Sequence, residues 1–301
     1  MNLREKLFVE VRKGTKVTLS ESDLNKMDRM YERELAQYDN RKVMTPYRKE
    51  PKRAFLAQLR DYAFERILDR HLYTFSHVLV IPNPYGVAKQ TALILFNSSK
   101  EYKVRYRVFG DNGNDFVGES NYTTRHRVAI LGLYFERSNT VDLSLIDREE
   151  KVVKHRVIRI FVSEVPENQK DLVMEVEGDK SAAMPLLAVN GAAFSPLVFD
   201  ADGAIRYSMQ LRTYKMGMIP MPNGHVLLAD RTANIVNSMG KTQPCRYHEM
   251  DYMGRVYRTY LLEYRIGRAI TQHGDSLFFV TASDDGHLSD RIAELNLKTG
   301  E

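Results

Sequence analysis

The sequence predicts a mainly β chain: a helical N-terminal segment, a small antiparallel β-sandwich, and an incomplete β-propeller of about two blades. Three observations predict it. Apolar residues recur at helical spacing only before about residue 72. Six short apolar or alternating runs follow between about residues 75 and 165, spaced like the strands of a sandwich. The last third repeats a glycine-punctuated strand pattern about every 50 residues. The corresponding divisions are 1–74, 75–180 and 181–301.

In the helical segment, Ser20 or Ser22 can cap a helix in which Leu24, Met27, Tyr31, Leu35 and Tyr38 fall on one face. Pro46 and Pro51 break the pattern. A second amphipathic run then puts Phe55, Leu56, Leu59, Tyr62, Ala63 and Ile67 together. Such faces serve as core or as a contact for a partner helix. The basic stretch Arg41–Arg53 between them is expected to be a solvated connection.

The sandwich strands begin with "HVLVIPNPYG", an apolar run stopped by a proline-glycine turn. "TALILFNSS", "YKVRYRVFG", "HRVAILGLYF", "NTVDLSLID" and "HRVIRIFVSEV" follow as five further strands. Alternation is clearest in the second of these, where Tyr102, Val104, Tyr106 and Val108 share a face and basic residues take the other. Aromatic and basic residues also interleave on nucleic-acid-binding sheets, but any half-exposed strand produces that pattern.

In the last third, "FDADGAIRYSMQL" (199–211) resembles "MDYMGRVYRTYLL" (250–262). Each has an aspartate, two residues, a glycine, then a β-branched residue and an arginine. "MPNGHVLLAD" (221–230) pairs likewise with "TQHGDSLFFVTA" (271–282), and "LNLKTGE" looks like the start of a third copy. Short strands at this period are the mark of propeller blades, and the repeated glycine supplies a turn with positive φ. Two blades do not close a ring. Either the rest of the propeller is missing, or a second copy or another chain covers the open sheet edge.

Composition narrows the function classes. A net charge of +5, drawn from 44 basic and 39 acidic residues mixed along the chain, gives only slight support to a nucleic-acid or other anion binder. Salt-sensitive retention on DNA is what that reading requires. The charged N-terminus is not a signal peptide, and no apolar run approaches the length of a membrane span. The single Cys245 excludes an internal disulfide and fits a cytoplasmic setting. No histidine spacing signals a metal, and no cofactor is implied. Asp284, Asp285 and Asp290 share a glycine-containing loop, but it lacks the register of a calcium site and reads as a polar hairpin. "QHGDS" has no nucleophile elbow.

From about residue 75 onward the chain resembles the aryl-sulfate sulfotransferases that need no nucleotide sulfate donor. "NPYGVAKQTALILFNSSKEYKVRYRVFG" (83–110) and "HRVAILGLYFERSNTVDLSLID" (126–147) carry the resemblance in the sandwich. "DADGAIRY", "YHEMDYMGRV" and "DRIAELNLKTG" carry it in the repeats, and residues 1–74 resemble the helical leader of the family's cytoplasmic branch. The resemblance implies transfer of a sulfuryl group from a phenyl sulfate to a phenol through a sulfated histidine. Phenolic sulfate esters and phenols are then the small-molecule partners.

Similar family members carry a His-His-Asp-Ile motif after the second repeat strand. Here the matching positions read Gly267, Arg268, Ala269 and Ile270. Arg268 keeps a forked cation that can hold a sulfate oxygen, but it is neither nucleophile nor proton shuttle at neutral pH. Arg268 and His273 are the candidate catalytic residues, and Arg268 and Tyr264 the candidate substrate contacts. His225, His248 and Tyr247 sit on or beside strands and read as packing or surface residues. The replaced motif also leaves open a catalytically inactive relative that acts as an interaction module.

Overall fold

The structure is a computed structural model that describes residues 3–38, 52–172, 174–178, 186–189, 196–211, 213–236, 242–261, 270–282 and 288–300. Its elements among the described residues are the helices α1 (Leu3–Arg12), α2 (Glu21–Tyr38) and α3 (Lys52–Leu68), followed by strands and the short 3-10 turns Asp111–Gly113 and Glu167–Gln169. Those strands are β1 (Leu79–Pro82), β2 (Ala92–Val108), β3 (Phe116–Glu119), β4 (Thr123–Ile130), β5 (Arg137–Ile146) and β6 (Val152–Val162). They continue with β7 (Leu186–Val189), β8 (Leu197–Asp200), β9 (Ile205–Ser208), β10 (Thr213–Pro220), β11 (Val226–Val236) and β12 (Thr242–Met250). The last are β13 (Val256–Leu261), β14 (Ile270–His273), β15 (Ser276–Ala282) and β16 (Leu288–Asn296). The chain is mainly β and every strand pair is antiparallel. It divides into two units, Met1–Val189 with Leu197–Gln210, and Asn190–Pro196 with Leu211–Glu301.

In the first unit, Ser20 settles the choice of cap. The Asp23 N–H donates to Ser20 Oγ (3.2 Å) and the Ser20 N–H donates back to Asp23 Oδ2 (3.1 Å), a reciprocal box that satisfies two groups at the start of α2. Burial pushes the Asp23 carboxyl upward, but the Ser20 bonds and the Lys16 ammonium outweigh it and hold it below its ordinary value. Leu24 and Met27 are buried as their spacing predicts. The side chains of Tyr31, Leu35 and Tyr38 lie outside the described residues.

The buried face of α3 differs from the predicted one. Leu59, Ala63 and Ile67 are buried, whereas Leu56 is exposed and Ala54, Ala57, Arg60, Asp61 and Phe64 are buried in addition. The reason is that α3 is gripped from two sides. Arg60 donates to Asp28 of α2 (3.0 Å) and to the Pro84 carbonyl (2.8 Å), while Arg127 and Arg125 of β4 reach Asp61, Glu65 and Asp69. α1 lies before the predicted start of the helices.

Two predicted strands, "TALILFNSS" and "YKVRYRVFG", are one continuous strand, β2. Its first half pairs with β1 and β4, its second half with β3 and β5, and β6 lies beyond β5. The register against β4 shifts between Asn97 and Tyr102, at the solvent-exposed Ser99–Glu101 stretch where the two predicted strands meet. Val104, Tyr106 and Val108 are buried on one face, as alternation predicts. β7, β8 and β9 form a three-stranded sheet of this unit.

The second unit holds a four-stranded sheet in the order β10-β11-β12-β13 and a three-stranded sheet in the order β14-β15-β16. Met221, Leu227, Tyr247 and Tyr260 from the first pack with Leu277, Phe279, Leu295 and Leu297 from the second into one buried cluster. The repeated turns are alike at the atomic level. Asp200 Oδ1 accepts from the N–H groups of Asp202 and Ala204, and Asp251 Oδ1 accepts from those of Met253 and Arg255. Asn296 Oδ1 accepts from Lys298 and Thr299 in the same manner. Gly203 shows why the glycine is needed: its φ is 82°, and a Cβ would lie 2.1 Å from the Met174 carbonyl oxygen.

Candidate functional site

Two polar clusters stand out. In the first unit, Arg206 of β9 is buried beside Asp200, each side chain 1% exposed. Its Nε donates to the Gly132 carbonyl (2.9 Å), and its Nη1 donates to Tyr134 Oη (2.9 Å), the Asn114 carbonyl (2.6 Å) and Asp200 Oδ2 (3.2 Å). The guanidinium also lies 4.0 Å from the Tyr134 ring centroid. A charge held by so many internal acceptors ties β9 to the Gly132–Tyr134 segment, and the cluster is structural.

The second cluster, in the second unit, has the chemistry of a reactive site. The Met221–His225 turn between β10 and β11 is closed by Gly224 N–H to the Met221 carbonyl (3.0 Å) and Met221 N–H to the His225 carbonyl (2.9 Å). The register pairs Val226 with Met250, which sets the His225 turn beside Glu249 of β12. His225 Nδ1 then lies 2.7 Å from Glu249 Oε1. Asn223 Nδ2 donates to the same oxygen (3.0 Å), and Tyr260 Oη donates to Glu249 Oε2 (3.0 Å). Because Nδ1 faces a carboxylate, the tautomer of the neutral ring that this geometry favours has its proton on Nδ1. The Tyr257 ring stacks on the imidazole at 4.0 Å, and Tyr257 Oη donates to Asp251 Oδ2 (3.2 Å).

Electrostatics follow burial. Desolvation, then the Glu249 charge, pushes the Tyr260 hydroxyl up to about 12, so it remains a donor at neutral pH. Desolvation also raises the Asp251 carboxyl, against the Arg255 and Met253 N–H groups that favour its charge. Glu249 is 9% exposed at its side chain and His225 20%, so the pair is sheltered while the imidazole still meets solvent. The carboxylate–imidazole arrangement fixes one tautomer and presents the other nitrogen as base or nucleophile.

Of the residues singled out by motif, Tyr264 and Arg268 lie outside the described residues, as do Gly267 and Ala269. His273 is exposed at the end of β14, paired across the turn with Ser276. β13 runs from Val256, whose partner Met250 also pairs with Val226 beside the His225 turn, to Leu261. Tyr247 and His248 are buried, and His248 Nδ1 is 3.0 Å from Thr259 Oγ1. Asp284 and Asp285, with the side chain of Asp290, lie outside the described residues. Among the described residues no group of three histidine, cysteine or carboxylate side chains could hold a metal ion.

Sequence reading missed the importance of Glu249, Tyr257 and Tyr260. His225 and Glu249 are 24 residues apart, and only the β11–β12 register joins them.

Residues 79–160 match the family model described as Arylsulfotransferase Ig-like domain, and residues 170–301 match the one described as Arylsulfotransferase (ASST). No curated protein matches the chain.

Proposed function

Because the chain belongs to the arylsulfotransferase family, we propose that it moves a sulfuryl group from a phenyl sulfate to a phenolic acceptor. The observation that carries this reading is the pair of family matches, consecutive and in order along the chain. On the same premise β1–β6 are read as the immunoglobulin-like sandwich, and the β10–β13 and β14–β16 sheets as two blades of an open propeller arc. The family is named for aryl sulfate chemistry, which makes phenolic sulfate esters and phenols the substrate class.

The transfer takes two displacements. A neutral histidine nitrogen attacks sulfur; the N–S bond forms as the S–O bond to the aryl group breaks, and a phenolate leaves. The acceptor phenol, giving up its proton, then attacks sulfur; the new O–S bond forms as the N–S bond breaks, and the imidazole is regenerated. Negative charge spreads over the sulfuryl oxygens during both steps, so a fixed cation beside them lowers each barrier.

Two readings place the site, each on its own observation. Position against the His-His-Asp-Ile motif favours the segment of Tyr264 and Arg268, with Arg268 holding a sulfuryl oxygen and a histidine elsewhere acting as nucleophile. Geometry favours His225, whose Nδ1 is pinned by Glu249 and whose Nε2 is left to attack. His273, exposed on the corresponding turn of the next sheet, is the other histidine to weigh.

The deciding experiment follows release of 4-nitrophenolate from 4-nitrophenyl sulfate, with and without phenol. Release beyond one equivalent should require phenol, and incubation without phenol should leave one sulfuryl group on a histidine that peptide mass mapping locates. His225→Asn should abolish that modification if geometry rules, and Arg268→Gln should slow release by about 10²-fold if the motif position rules. No release from any aryl sulfate tested overturns the proposal.

A further inference from the structure

β6 pairs with β5 along its whole length, from Arg137↔Val162 to Ile146↔Val152, and no described segment pairs with its other side. The strand is 11 residues long, and its one register irregularity lies at its first residues, opposite Leu145 and Ile146. Long, straight edges normally carry devices that discourage pairing: a proline, a central bulge, or charge without apolar neighbours. β6 has no proline and no central bulge.

Its side chains point to a particular partner. Val153, His155, Val157, Arg159 and Phe161 alternate with the inward residues and are exposed, Val157 by 52% and Phe161 by 63%. From Lys151 to Ser163 the sequence holds Lys151, Lys154, His155, Arg156 and Arg159, and no carboxylate. Some of this charge is engaged: His155 Nε2 lies 2.5 Å from Asp142 Oδ1, and Arg156 reaches the carbonyls of Phe75 and Ser76. Lys154 and Arg159 have no ion pair among the described residues. The exposed face thus alternates apolar and basic groups along an open row of backbone donors and acceptors.

We propose that this edge binds an extended acidic segment of another protein, added as a further strand beside β6. Backbone hydrogen bonds would supply the register. On the face that carries Val157, Arg159 and Phe161, the added strand would set an acidic residue against Arg159, with aliphatic or aromatic residues two positions to either side against Val157 and Phe161. Lys154, of the opposite parity, would meet a further acidic residue. A second copy of this chain fits poorly. Antiparallel self-pairing centred on Val157 sets His155 opposite Arg159 on both sides of the axis and brings two basic strands together.

Fluorescence anisotropy on the full chain tests this. The probe is a labelled ten-residue peptide that repeats Val, Glu and Phe at every second position and holds Thr or Glu at the positions between. Saturable binding that weakens as salt rises is expected. A Lys-for-Glu version of the peptide should fail to bind, as should the acidic peptide N-methylated at alternate residues. Lys154→Glu combined with Arg159→Glu should weaken binding at least about tenfold while far-ultraviolet circular dichroism stays unchanged. Phe161→Ser provides a second variant, with a loss of the same direction, should the double variant misfold. The proposal is overturned by absence of binding, by unchanged affinity in both variants, or by equal binding of the N-methylated peptide. Sedimentation showing self-association that Arg159→Glu removes would assign the edge to a second copy and overturn it as well.

Discussion

His126 shows how a single buried side chain ties stability to pH. It is fully buried, stacked on Phe96 at 4.1 Å, with Nε2 2.8 Å from Ser98 Oγ and Nδ1 without a partner among the described residues. Desolvation pushes its imidazole down to about 4, below the ordinary value of 6.5. A depressed value means that the unfolded state takes the proton first. The associated stability is therefore complete above about pH 6.5 and declines as pH falls toward 4, by roughly 3 kcal/mol in all. Urea denaturation of wild type and His126→Phe at pH 7 and pH 4.5 checks this; the variant should lose less stability over that interval. Gly203→Ala should cost several kcal/mol, since the new Cβ meets both a positive φ and the Met174 carbonyl. Thermal unfolding reads that loss directly. Arg206→Met should also destabilise, by about 3–5 kcal/mol, because Asp200 would stay buried without its cation.

The elements that could be read from sequence are those whose local signals agree with their surroundings. Ser20 was visible as one of two candidate caps for α2, although the return bond to Asp23 was not, and Ser20→Ala should cost about 1 kcal/mol in denaturant unfolding. The alternation of Val104, Tyr106 and Val108 survives as a buried face for the same reason. Features set by distant partners were hidden. Lys100 and Glu101 look like a turn, yet pairing on both sides of β2 carries the strand through them. Polar Arg60 and Asp61 look like a solvent face until Asp28, Pro84 and Arg127 surround them. β3 holds only four residues, and at Gly118 a Cβ would lie 2.5 Å from the Tyr106 ring, a constraint that exists only once the strands are paired. The His225 cluster was not legible: the sequence reads His225 as a packing or surface residue, and its Glu249 and Tyr260 partners needed the sheet register.

On the scale of the whole molecule, the second unit holds a buried cluster of its own, and damage to it should register in that unit first. Phe279→Ala removes a large side chain from the cluster shared by the β10–β13 and β14–β16 sheets. It should lower the melting of the second unit, by about 3–5 kcal/mol, and leave protection of β2 and β5 amides unaltered in hydrogen exchange. Equal loss of protection in both units would show instead that the chain unfolds as one cooperative body.

The recurrent Asp200, Asp251 and Asn296 turns each close on their own backbone within five residues. One carboxylate oxygen fastens each aspartate corner locally, while the other makes a longer tie, to Arg206 and Tyr134 or to Tyr257. A single acidic side chain thus both shapes the bend and anchors it, so exchanging aspartate for asparagine would spare the first task and weaken the second.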